Sequence, residues 1–299
     1  MLYLLLAIVC ATVFSVMFSI CQKRQVDVNI AMLANYIAGA LLSGISVFTQ
    51  MTQSGIQDYS VLKPDMTVTA LALVAGLIYS TGFLVRDAGT AHCGVSLTSI
   101  CSRVSLIVPV FLSWLLLGDK EPSWLSVIMI LISVGLISYK QESGGKMKLD
   151  IRGLAILSGL FLVYGICDFL LKYARNIIGG SGSGIEVRLS CFTALIFVFA
   201  ALISLVLCFV KGAFKRSGHI GKDCLFGVFI GMVNIGNTSA ILHALGHMPA
   251  SYFYPIYNVC VVLACTLIGI VCLKERPSKV QTAGIILATI SIVLYYVLG

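Results

Sequence analysis

Asp168 and Lys172 stand four residues apart in "YGICDFLLKYARN", and Arg103 sits in "SLTSICSRVSLIVP", each within a long apolar run. In a helix, residues four apart share a face, so Asp168 and Lys172 suit an ion pair, and Tyr164 continues that face one turn earlier. Asp168 lies well inside such a run, which makes it the candidate for a group that exchanges a proton or holds a charged ligand. The plainer reading is a buried Asp, neutralised by Lys172 or Arg103, that holds helices together. An arginine against lipid costs about 3 kcal/mol even on the mildest scale. Arg103, beside Ser102, is therefore expected either to face a cavity or an acidic or carbonyl partner, Asp168 being the favoured one, or to snorkel toward the interface.

Two further runs carry polar side chains. "LFGVFIGMVNIGNTSAILHAL" holds Asn234 and Asn237 three apart, followed by Thr238 and Ser239. "ASYFYPIYN" places Ser251, Tyr252, Tyr254, Tyr257 and Asn258 around Pro255. Amides at this depth either glue helices together, with Gly227, Gly231 and Gly236 allowing close approach, or line a polar cavity. The matching sets on successive runs favour the cavity. Tyrosines offer it an amphipathic wall, and Tyr252 fits an interfacial belt. Asn35, Tyr36, Tyr79, Ser80 and Thr81 are weaker candidates for the same volume. Pro109 and Pro255 cannot bond to the carbonyls of Ser105 and Ser251, so both are expected hinges that free a carbonyl.

Other chemistry finds no footing. His243 and His247 close an apolar run where solvent can satisfy them, and His92 with Cys93 lacks metal-site spacing. HExxH, GxSxG and complete nucleophile constellations are missing from the sequence. Neither catalytic residues, nor a metal, nor a cofactor is expected. "NIIGGSGSGIE" reads as a flexible loop, because no Lys-Ser or Lys-Thr follows it as a phosphate-binding loop requires.

The elements that must position these residues follow from composition. Of 299 residues, 59% are hydrophobic and 11% charged, with a mean hydropathy of +1.02. A soluble domain carries about 25% charged residues. The chain therefore reads as a polytopic membrane protein, in which roughly 20 helical residues cross about 30 Å of hydrocarbon. Ten spans can be drawn at 2–20, 30–48, 68–85, 95–117, 124–139, 153–173, 189–210, 225–245, 250–273 and 281–298. The first lacks a basic leader and cleavage site and is expected to be a retained helix. Eleven cysteines, an odd number without CxxC, read as small hydrophobes.

The basic segment 141–152 splits the spans into repeats at 1–140 and 153–299. Five spans per half imply opposite orientations, so the expected fold is an all-α integral membrane protein, ten transmembrane helices in a five-plus-five inverted repeat. "LLLGDKEPSWL" and "VCLKERPSKV" place Pro122-Ser123 and Pro277-Ser278 between the last two spans of each half. Both turns read as helix starts, with Asp119 and Glu275 structural. The formal charge of +8 resides in loops, which speaks for topology and against nucleic acid. Five basic residues (Lys63, Lys120, Lys172, Arg175, Arg188) fall on the N-terminal side and fourteen on the other, which places both termini outside.

"LLLGDKEPSWLSVIMILISVGLISY", its counterpart "VCLKERPSKVQTAGIILATISIVLYY", and "SRVSLIVP" before the first turn resemble the drug/metabolite transporter superfamily, in particular the EamA-like transporters. The resemblance covers nearly the whole chain, with Asp119, Glu275 and Gly284 at the positions where the family carries an acid and a following glycine. It implies a carrier in the bacterial inner membrane that moves a small metabolite or amino acid, often outward, by rocking two bundles about a central cavity. Spans three, four, six, eight and nine would surround that cavity. Spans five and ten would be peripheral or mediate dimer contacts, so a monomer or homodimer is expected. The family usually has cytoplasmic termini, opposite to the loop-charge count.

The resulting candidates for substrate binding are Tyr79, Ser102, Arg103, Tyr164, Asp168, Asn234, Asn237, Tyr254, Tyr257 and Asn258. Asp168 is the candidate for proton coupling, Pro109 and Pro255 for hinges, and Asp119, Pro122, Glu275, Pro277 and Gly284 for structural turns. Expected partners are the bilayer, a small-molecule substrate and, for coupled transport, the proton. The alternative is a sensor or assembly subunit with the same fold and no transport.

Overall fold

The computed structural model of the chain describes residues 1–55, 65–93, 95–138, 151–179, 184–273 and 278–298. Glu275 and Pro277, positions 141–150 of the basic connector and 180–183 of the Gly-Ser run lie outside the described residues. In order, the helices are α1 (Leu2–Lys23), α2 (Val28–Gln53), α3 (Met66–Cys93), α4 (Val95–Val104), α5 (Ile107–Leu117), α6 (Trp124–Ser138), α7 (Ile151–Gly179), α8 (Ile185–Val210), α9 (Ala213–Arg216), α10 (Ile220–His247), α11 (Ala250–Leu273) and α12 (Lys279–Leu298). All ten stretches drawn from the sequence are helical over their described residues. The fourth is broken into α4 and α5, and the one-turn α9 lies between the seventh and eighth.

Seven of the described segments are long and apolar enough to cross a membrane, α2, α3, α7, α8 and α10 among them, and Leu2–Phe18 and Trp124–Ile137 are shorter apolar helices. Apolar side chains also line the outside: Leu41, Ile45 and Phe48 of α2 and Leu202, Val206 and Phe209 of α8 are exposed. Such stripes would be untenable against water and are ordinary against lipid, where helices satisfy every backbone group internally. The protein is an all-α, multi-pass membrane protein.

Compactness divides the chain into two units, Met1–Ser80 with Tyr173–His247, and Thr81–Lys172 with Met248–Gly299. Each unit draws on both halves of the sequence, a different cut from the 141–152 connector.

In the first unit α2 packs against α8 and α10, and α1 against α10. The closest crossings use glycine. A Cβ on Gly231 would sit 2.6 Å from the Asn35 carbonyl oxygen and 2.9 Å from the Ala38 Cβ, and one on Gly39 would run into the Phe197 ring. Small residues let helix backbones approach where apolar burial offers no drive between helices. At the start of α2, Asp27 caps Asn29 N–H at 2.9 Å and receives the Arg216 guanidinium at 2.7 and 3.1 Å, which ties α9 to α2. Burial raises the Asp27 pKa, yet the hydrogen bonds from Arg216 and Asn29 outweigh it and hold the carboxyl below its usual range.

In the second unit α6 packs against α12 and α4, and α11 against α5 and α6. Gly284 lies at the α6–α12 crossing, where a Cβ would meet Ile137 N and Leu136 Cβ, each at 2.8 Å. α5 ends on Gly118, whose φ of 67° is the left-handed cap that glycine adopts freely. Pro122 then precedes Ser123, which stands just before α6, so this proline lies beside the first turn of the helix and not within it. At the corresponding point before α12, Ser278 and Gln281 form a reciprocal capping box: Ser278 N–H donates to Gln281 Oε1 at 2.9 Å and Gln281 N–H to Ser278 Oγ at 3.3 Å. Cysteines with described side chains are free thiols.

Candidate functional site

Pro109 interrupts its segment more fully than a kink. α4 stops at Val104, Ser105 and Leu106 form a turn, and α5 starts at Ile107. The Ser105 carbonyl, expected to be freed, accepts Val108 N–H at 3.0 Å, because tightening to a three-residue turn restores a donor where the proline offers none. The break seats against α7 at Gly165, where a Cβ would lie 2.6 Å from Val108 Cβ and 2.9 Å from the Ser105 carbonyl oxygen. Pro255 behaves differently, and α11 runs through it without interruption.

The break places Arg103 in the last turn of α4, where the carbonyl end of the helix dipole favours a cation. Arg103 is half-buried, and its Nη1 donates to Asn258 Oδ1 at 3.2 Å. Asn258 is held in turn, its Nδ2 donating to the Tyr254 carbonyl at 3.1 Å. The fully buried Tyr254 donates its hydroxyl to the backbone carbonyl of Asp168. α11 thus positions both charged residues, one through a side chain and the other through its backbone.

Two expected ion pairs do not form. Lys172 pairs instead with Asp119 at 3.2 Å, both side chains nearly buried. The second oxygen of Asp119 accepts Ala250 N–H, the first of α11, at 2.7 Å. The loop after α5 offers Lys172 an acid that already caps a helix, a partner no local spacing reveals. Arg103, likewise, has Asn258 for its partner. Half-buried Asp168 makes no side-chain hydrogen bond or ion pair among the described residues, and the Arg103 charge acts on it only through space.

Of the remaining candidates in this unit, Tyr257 is buried and stacked on Phe253 with centroids 5.3 Å apart. Tyr164 and Ser102 are half-buried, and the Ser102 carbonyl accepts Ser105 Oγ at 2.7 Å. Tyr252 receives Lys120 Nζ on its hydroxyl at 3.1 Å.

Three candidates belong to the first unit. Tyr79 hydrogen-bonds Thr238 Oγ1 at 3.2 Å, and its carbonyl accepts the Tyr36 hydroxyl at 2.6 Å. Asn234 donates to Asn35 Oδ1 at 3.2 Å, both side chains being buried. Asn237 is half-buried. The Asn234–Asn35 bond has the geometry of interhelical glue. Replacing Asn35 with Leu leaves a buried amide donor without its acceptor and is expected to lower stability by about 1–2 kcal/mol. The double variant Asn35→Leu/Asn234→Leu should recover most of that loss in thermal unfolding of the detergent-solubilised protein. Equal stability of Asn35→Leu and wild type would refute the assignment.

His243 also departs from expectation. Its Nδ1 lies 2.6 Å from the Ser239 carbonyl and its Nε2 pairs with Glu186, while Tyr3 stacks on the ring at 4.9 Å, so protein groups rather than solvent satisfy it. The signal for this was thin: an acid at the start of α8 and a histidine near the end of α10, 57 residues apart. Among the described residues, no group of three His, Cys, Asp or Glu side chains could hold a metal.

No family model matches the chain. An uncharacterized protein of Haemophilus influenzae is 24% identical over 298 residues, covering 98% of this chain and 97% of its own length. A solved structure described as "Crystal structure of protein" superposes with a TM-score of 0.77 at 14% identity, covering 99% of this chain and 96% of that one. This chain has that fold. The match covers nearly the whole of both chains, so the shared fold is that of the chain as a whole.

Proposed function

We propose that this protein is a secondary transporter of the EamA-like type within the drug/metabolite transporter superfamily. It has ten spans in a five-plus-five inverted repeat and works in a bacterial inner membrane as a monomer or homodimer. It moves a small metabolite, an amino acid or a related polar or aromatic solute, outward by alternating access, and couples that movement to the proton through Asp168. The observation that carries the reading is the interrupted helix at Ser105–Leu106, with a half-buried guanidinium on its last turn and a half-buried carboxylate on a neighbouring helix of the same unit. Broken helices are where membrane carriers present charge and backbone to a polar solute. Ionisable groups at such depth are expensive unless function retains them. A carrier needs no bond chemistry, only two accessible states that substrate and proton bias differently.

The test is uptake and efflux in proteoliposomes, with pooled amino acids and pooled nucleobases offered to wild type and Asp168→Asn under imposed pH gradients. Wild type is expected to move at least one pool in a gradient-dependent manner, and the variant to exchange the same solute without responding to the gradient. An unchanged gradient response in the variant removes Asp168 from coupling. Failure of wild type to move either pool, with the protein folded, removes the carrier reading.

A further inference from the structure

One end of the first unit gathers positive charge at the level where its apolar helices stop. The apolar run of α8 closes at Val210, and that of α10 opens at Ile220. Phe209 and Val210, just before Lys211, are 68% and 78% exposed, and Leu225, three residues after Lys222, is 57% exposed. Lipid-facing side chains therefore run up to the cations from both helices, which sets Lys211 and Lys222 at the depth of phospholipid headgroups.

The fold builds this cluster from four elements. α9 seats Ala213 and Phe214 against Ile30, Leu33 and Cys208, and its other two residues, Lys215 and Arg216, are exposed. Arg216 lies on Asp27, Lys211 Nζ donates to Asn29 Oδ1 at 3.4 Å, and Lys222 Nζ donates to the Arg24 carbonyl at 3.0 Å. Asp27 and Asn29 are themselves bonded at 3.1 Å, so these contacts converge on the turn between α1 and α2. Because α2 and α10 both begin here, their positive N-terminal ends add to the charge.

Acids of the protein do not balance it. Arg24, Lys211, Lys215, Arg216 and Lys222 are all exposed, and of these Arg216 alone has a carboxylate partner among the described residues. Asp223, in the first turn of α10, is buried and accepts the Ser217 hydroxyl at 2.6 Å. Unbalanced ammonium groups at headgroup depth suit phosphates held in a lipid film.

We propose that this surface binds the headgroup of an anionic phospholipid, with Lys211, Lys215 and Lys222 on its phosphate and Phe209 and Val210 against its acyl chains. Arg216 anchors α9, because Asp27 already takes its Nε and Nη2. A free phosphate would meet the same ammonium groups but gain nothing from the apolar side chains beside them, so the occupant is a lipid. Such a site lies within the first unit and does not depend on the protein being a carrier.

The experiment follows thermal unfolding of the full-length protein in detergent, titrated with phosphatidylglycerol or with phosphatidylcholine of the same chain length. A ligand that binds the folded form raises the melting temperature. Phosphatidylglycerol is expected to raise it saturably and phosphatidylcholine, which has no net charge, much less; inorganic phosphate at the same concentration should not raise it. A basic residue near an anionic membrane surface strengthens binding about fivefold, so Lys215→Gln/Lys222→Gln should shift half-saturation by phosphatidylglycerol about 25-fold upward. Arg152→Gln/Lys279→Gln removes two exposed cations of the second unit and should shift it by no more than about twofold. A lipid-free melting temperature near that of wild type shows that a variant folds. If the first pair of changes prevents folding, Lys215→Gln alone, which removes no hydrogen bond or ion pair of the described residues, should give a shift of about fivefold. Equal responses to the two lipids, an unaltered response in the lysine variant, or an equal loss in the second-unit control each overturns the site. Stabilisation by inorganic phosphate as large as that by phosphatidylglycerol overturns the lipid assignment in favour of a free anion.

Discussion

Replacing Asp119 with Ala is expected to destabilise the folded chain by about 3 kcal/mol or more, a greater loss than that of the Asn35 amide. Two effects add. Lys172, whose side chain is 5% exposed, loses the acid it pairs with, and the first N–H of α11 loses its acceptor. Asp119→Asn should lose less, because an amide oxygen can still accept Ala250 N–H although the ion pair is gone. The double variant Asp119→Ala/Lys172→Met should recover a large part of the loss, since no charge then remains to be buried. Thermal or denaturant unfolding of the purified protein in one detergent reads all three. A cost for Asp119→Ala no greater than that of Glu121→Ala, an exposed acid two residues away, would show that the Lys172 pair does not contribute.

Gly227→Val is expected to cost about 3 kcal/mol, at the upper end of ordinary overpacking. α10 crosses α2 so closely that a Cβ at this position would collide with the Ala31 carbonyl oxygen and lie 2.6 Å from the Ala34 Cβ. The obstacle includes backbone, which cannot rotate away as a side-chain end can, so the helices must separate and lose contacts along their length. Gly221 in the same helix is the control. A Cβ there meets nothing within 4 Å, and Gly221→Val should change stability by no more than about 1 kcal/mol through helix propensity alone. Similar melting of the Gly227 and Gly221 variants would refute the crossing.

These expectations differ in how far the sequence could reach them. The glycines of α10 and the two asparagines three apart within it were visible as a close-packing or polar stripe, because helical periodicity alone puts them on the crossing faces. That the stripe meets α2, and that Asn35 is the partner of Asn234, depends on two helices 199 residues apart in the chain becoming neighbours. Asp168 and Lys172 show the limit of local spacing. Four residues on a helix bring two side chains within reach, but Lys172 takes Asp119, an acid already fixed by α11, because burial rewards the pair that leaves fewest polar groups unsatisfied. Pro109 announced an irregularity, since a residue without an N–H cannot continue the ladder. The return of the Ser105 carbonyl to Val108 depended on how the backbone relaxed around the gap.

What the sequence by itself determined is the class and depth of the structure. A chain with 11% charge and repeated apolar runs of membrane length has no soluble fold open to it, and hydrocarbon permits such a chain only helices that satisfy their own backbones. It also determined which side chains would be costly there, and so named Arg103, Asp168 and Asn258 before any contact was known. Only the tertiary structure decided which of them pair. Partner choice in a packed interior is settled by burial and by competing hydrogen bonds across long separations, and that competition gave Arg103 to Asn258 and Lys172 to Asp119 while leaving the Asp168 carboxylate half-buried beside them.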